Sequence, residues 1–151
     1  MHKILQASAL VLVLASPGLS AQTSVTPQPS ATPQTPPAPV KATPQNVAAF
    51  VGEWDLNGQG SNGPASFTLS IRPQGETLTA VLKNSDDVAQ TVNEVSMVGS
   101  SLSLSVTFIN AGNEYPSVVA LTPSGDKILL HIEVANGLAQ LDGTAKKKVQ
   151  E

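Results

Sequence analysis

From residue 50 onward the chain alternates apolar and polar side chains, with apolar residues at every second position. That period puts one set of side chains on each face of an extended strand. The first such segment covers residues 50–58 and carries Trp54 and Leu56 on one face. The second carries Phe67, Leu69 and Ile71, and the third Leu78, Ala80 and Leu82. The fourth starts at Val92, slips by one position and resumes at Val95 and Met97, the signature of a β-bulge. In the fifth, Leu102, Leu104, Val106 and Phe108 alternate with Ser101, Ser103, Ser105 and Thr107. The sixth covers residues 114–122, the seventh carries Ile128, Leu130, Ile132 and Val134, and the eighth Ala139, Leu141 and Gly143.

Turn residues separate these segments, at 60–64, 73–75, 84–87, 99–100, 110–113, 123–125 and 136–137. Short connections between sequential strands make neighbours antiparallel, so the pattern predicts an all-β, eight-stranded, up-and-down meander. A meander with one apolar and one polar face closes most economically into a small barrel, which leaves no edge exposed. A two-sheet β-sandwich is the alternative. The only helical feature expected is a short turn over residues 46–49.

The chain before residue 46 has a different character. Met1-His2-Lys3 is a short positive start, residues 4–14 are apolar apart from Gln6 and Ser8, and Leu19-Ser20-Ala21 supplies small residues before Gln22. That order of charge, apolar core and small residues is that of a secretory signal, so residues 1–21 are expected to be a cleaved signal peptide. The apolar stretch is too short to span a hydrocarbon layer of about 30 Å, and no transmembrane segment is expected in the mature chain. Residues 22–45 hold seven prolines, and all the others but Lys41 are Gln, Thr, Ser, Ala or Val. This composition buries too little apolar surface to fold and favours polyproline II, a disordered tether reaching roughly 70 Å. The domain is then 46–148, with a tail at 149–151, exported to the periplasm, cell envelope or medium.

Composition narrows the function. Without cysteine there is no disulfide, no thiolate metal site and no thiol-linked lipid anchor. Residues 46–145 carry ten carboxylates against Arg72, Lys83 and Lys127, a net charge of −7. Nucleic-acid binding needs basic clusters that replace phosphate counterions, so nucleic acid is excluded as a partner. Lys146-Lys147-Lys148 is the one basic run, and its plain reading is a solvated end.

The domain opens Asn46-x-x-x-Phe50-x-Gly52-x-Trp54, at the first strand of an eight-stranded meander. This start resembles that of lipocalins and related calycin-type barrels. The resemblance implies that Gly52 and Trp54 are structural anchors, the indole lying inside the closed end of a barrel under a basic side chain from the last strand. Lys146, Lys147 and Lys148 stand where that cation would come from. It also implies a non-enzymatic binding module. The chain lacks the disulfides, the C-terminal helix and the second loop motif of lipocalins, and the additional tryptophans with which avidins enclose biotin.

Catalytic chemistry is not apparent. His131 is the only histidine beyond the signal and falls on the polar face of its strand. One histidine without cysteine does not build a zinc site unless several carboxylates join it, and no nucleophile elbow or phosphate cradle occurs. Glu53 and Asp55 point outward together, as solvated charges do. No catalytic residue, metal or cofactor is expected, and the chain is expected to be monomeric.

One asymmetry remains. In a meander alternate turns share an end, which groups the connections 57–64, 84–88, 110–114 and 135–137 opposite the end marked by Trp54. They hold six of the eight asparagines of the domain. Asparagine tolerates left-handed turns, so turn chemistry alone accounts for this. The functional reading is a polar, acidic mouth, with Asp86, Asp87, Asn110, Asn113 and Glu114 as ligand-binding residues for a sugar, a cation, a peptide or a basic protein surface. A small molecule or a protein is thus the expected partner. The alternative is a tethered structural or protein-interaction domain with no small ligand.

Overall fold

The alternation becomes nine strands in the computed structural model, which describes residues 35–149. They are β1 (Val40–Lys41), β2 (Gly52–Gly60), β3 (Gly63–Gln74), β4 (Thr77–Asn84), β5 (Ala89–Val98), β6 (Ser101–Asn110), β7 (Asn113–Ser124), β8 (Lys127–Val134) and β9 (Ala139–Lys147). The predicted signal peptide at 1–21, residues 22–34 of the proline-rich segment and residues 150–151 of the tail lie outside the described residues.

All pairings are antiparallel, and β2 to β9 follow one another as neighbours. β2 also pairs with β9, from Trp54↔Lys147 to Gly60↔Leu141, and this joins the first and last long strands into a closed barrel. The sandwich alternative is thereby excluded. The slip expected after Val92 is a register shift between Val92 and Glu94 opposite β6. The hairpins remote from the mouth are tight two-residue turns, pairing Gln74↔Thr77, Val98↔Ser101 and Ser124↔Lys127.

Period-2 patterning fills the interior. Leu56, Leu69, Ile71, Leu82, Leu102, Leu104, Val106, Val119, Leu121, Leu130 and Ile132 are all buried. Each such Leu, Ile or Val contributes about 1.5–3 kcal/mol of transfer free energy, and no disulfide assists them.

The strands begin and end differently from the sequence expectation at the N-terminal side. Phe50 does not open β2 but ends a 3-10 turn, Ala48–Phe50. Val40 and Lys41, assigned by composition to the tether, pair with Met97 and Ser96 of β5. Ala42 N–H donates to Val95 O at 3.1 Å, and Ala42 is buried. The reason is local: β4 and β5 pair only at Leu82↔Gln90 and Lys83↔Ala89, leaving much of β5 free on that side for another extended segment. Asn46 holds the entry, its Oδ1 accepting from Thr43 N–H at 2.7 Å and its amide donating to Lys41 O at 3.1 Å.

Trp54 sits where the resemblance implies, 5% exposed in the core with Val47 and Phe50. Its Nε1–H donates to Phe50 O at 2.8 Å, tying the 3-10 turn to β2. Lys147 Nζ lies 5.6 Å from the indole centroid. Gly52 makes this possible. It has φ of +128°, and a Cβ there would lie 2.8 Å from Lys147 Cε, in the path of the stacking side chain. The neighbouring lysine, Lys148, instead turns outward to Asp55 at 3.1 Å.

Candidate functional site

At the end opposite Trp54 the inward-facing side chains change from large to small. Gly60, Gly63, Ala65 and Ala139 stand there, and the lumen opens into a cleft of about 660 Å³. Its floor is Phe67 and Phe108, whose ring centroids are 5.5 Å apart at a 39° tilt, with Ile132 and Leu141 beside them. Both phenylalanines belong to the inward alternation of β3 and β6, and they are half-buried. Below this level Leu56, Leu69, Leu82 and Leu104 fill the barrel.

The polar groups of the cleft are amides and hydroxyls. Gln90 is the buried one, at 6% exposure. It continues the inward phase of Val92, so its side chain must point inside. Its Oε1 accepts from Ile109 N–H at 2.9 Å and its Nε2 donates to Val88 O at 3.1 Å, bracing the β4–β5 loop against β6. An amide has two N–H donors and two acceptor lone pairs. One N–H and one lone pair of Gln90 thus remain beyond these two bonds.

Among the five residues expected to bind ligand, only Asn110 lines the cleft. Asp87 is turned to the outer wall, where its carboxylate holds Lys83 at 2.8 Å. Asp86 is exposed, and its backbone N–H donates to Asn84 Oδ1 at 3.1 Å. Asn113 closes the hairpin opposite Asn110, and Glu114 is exposed opposite Ile109. Asn84 itself lines the cleft, and its Oδ1 also accepts from Val88 N–H at 2.9 Å. The acidic groups therefore surround the mouth without forming its wall. The residues missed by sequence reasoning are Gln90, Tyr115 and the small residues at strand ends.

The backbone of the mouth is strained. Among the described residues, the non-glycine positions with positive φ are Asp87, Ala111, Ala135 and Asn136, all in mouth connections. Ala111, at φ 50°, precedes Gly112 in the two-residue turn joining β6 to β7. A left-handed alanine costs about 1–2 kcal/mol, partly offset by the lower chain entropy of alanine against glycine. Ala111→Gly should therefore stabilise the domain by up to about 1 kcal/mol, measured as a higher urea midpoint with unchanged slope.

The outer face carries solvated pairs. Arg72 meets Glu53 at 2.7 Å and His131 Nδ1 meets Asp142 at 2.7 Å, a cross-strand pair on β8 and β9. Among the described residues no three His, Cys, Asp or Glu side chains are grouped to hold a metal ion. No helix among the described residues is long and apolar enough to cross a membrane. Comparison with family models, with curated proteins and with solved structures finds no match.

Proposed function

We propose that this chain is an exported, non-enzymatic binding module of lipocalin-like build, which takes a small molecule in the cleft at the barrel mouth. The observation that carries the reading is the division of the lumen: filled by aliphatic side chains below, open to about 660 Å³ above an aromatic floor. Ligand sites typically measure about 300–1,000 Å³ and combine apolar walls with a few placed polar groups. The signal-like residues 1–21 support export, and the Gly52–Trp54–Lys147 arrangement supports the lipocalin-like build.

The test is a fluorescence titration with the apolar probe N-phenyl-1-naphthylamine. Micromolar binding is expected, and Phe108→Arg should abolish it while the far-ultraviolet dichroism keeps its β signature. An arginine there can carry its charged end to solvent while its stem covers the floor. Equal binding by the variant would place the probe elsewhere and defeat the mouth reading.

A second reading, a protein-interaction domain, draws on the rim. Val88, Ile109 and Leu138 are 51%, 47% and 74% exposed on three separate mouth segments. It would be favoured by absence of probe binding together with loss of a cross-linked partner on Leu138→Asp.

A further inference from the structure

The wall of the mouth cleft contains no Asp, Glu, Lys, Arg or His, although it draws residues from all eight strands of the barrel, β2 to β9, and their connections. Its polar side chains are neutral: the amides of Asn62, Asn84, Gln90, Asn110 and Gln140, with the hydroxyls of Ser61 and Tyr115. The nearby loops add only carboxylates, Asp86, Asp87 and Glu114, and Lys83 is already bound to Asp87 at 2.8 Å.

Resting on the mouth-binding reading, we infer that the cleft selects uncharged ligands, with an apolar body and a carbonyl, hydroxyl or amide group, and rejects anions such as carboxylates. The physical grounds are desolvation and field. An anion entering the cleft leaves water for a site without a cation to pair with, and a buried charge is tolerated only when paired. It also approaches a barrel whose residues 46–148 carry a net charge of −4, a repulsion that slows association at low salt. A neutral amphiphile meets neither obstacle. Its apolar part covers Phe67 and Phe108, and its polar group finds the spare N–H and lone pair of Gln90, a buried side chain of the wall. An amide both donates and accepts, so it serves hydroxyl and carbonyl ligands alike.

Two probes of nearly the same skeleton isolate the charge. N-phenyl-1-naphthylamine is neutral, and 1-anilinonaphthalene-8-sulfonate adds one sulfonate. With the purified chain at low salt, the neutral probe should bind at least about tenfold more tightly, a difference of about 1.4 kcal/mol. Asn110→Lys, which sets a cation on the wall at an exposed hairpin position, should raise the affinity for the sulfonate relative to the neutral probe by about tenfold. Comparable affinity for both probes in the unaltered chain, competed away by either, would overturn the charge selection while leaving mouth binding intact. Failure of both probes to bind would overturn the mouth reading and this inference with it.

Discussion

Trp54→Ala is expected to remove about 3–5 kcal/mol of stability, the range for deleting a large aromatic side chain from a core. Small domains have only about 5–15 kcal/mol in total, so the variant should be marginally folded or unfolded. Three losses coincide at this position. The indole is 5% exposed in the cluster with Val47 and Phe50, so its removal opens a cavity. Its Nε1–H no longer satisfies Phe50 O, which releases the 3-10 turn from β2. Lys147 loses the ring beneath its ammonium. The last loss is separable, because Lys147→Met keeps an unbranched stem on the indole and removes only the charge. An exposed cation–π contact contributes about 0.5–1 kcal/mol, so this variant should lose no more than that. Urea unfolding followed by dichroism checks both. An unchanged midpoint for Trp54→Ala would mean that the residue is not the anchor of the closed end.

The closed end was legible from the sequence because its determinants are ones that pattern reports. Alternation fixes which side chains point inward, and the slip at Val92 announces the bulge. Val40 and Lys41 were hidden for an equally physical reason. A two-residue strand among prolines has no periodicity of its own, and it is extended because β5 offers a partner. The mouth was legible in position but not in composition. Polar residues near turns drew attention to Asp86, Asp87, Asn113 and Glu114, yet these side chains stand exposed around the mouth and outside its wall, and some turn residues spend their polar groups on the chain itself. The Asn84 side chain accepts from two backbone N–H groups, and Asp87 holds Lys83. The cleft is made instead by the last inward positions of each strand. Phe67, Phe108 and Gln90 were in phase with the core, and Gly60, Ala65 and Ala139 were in phase but too small to fill it. Phase combined with side-chain volume would have pointed to that wall.

Gly143→Ala should be the most damaging single methyl addition in the barrel, costing about 3 kcal/mol or more, the upper end for overpacking. Gly143 of β9 faces Gly58 of β2 across the seam that closes the sheet. A Cβ at 143 would overlap the Asn57 carbonyl oxygen and lie 2.5 Å from Gly58 Cα and 2.8 Å from the Asn57 carbonyl carbon. These are backbone atoms of a strand paired on both sides, to β3 and to β9, so neither chain can retreat without breaking ladder hydrogen bonds. Gly58→Ala provides the contrast on the same seam. Its Cβ would meet chiefly the end of the Leu141 side chain, which can rotate, although Asp142 O lies 3.1 Å away. It should therefore cost less, about 1–2 kcal/mol. Because Leu141 lines the cleft, its displacement should also weaken N-phenyl-1-naphthylamine binding. Chemical denaturation of the two variants side by side gives the ranking. Equal stabilities would mean that the seam is looser than its glycine pair indicates. The reverse order would show that Leu141, and not the backbone approach, sets the packing limit where the barrel closes.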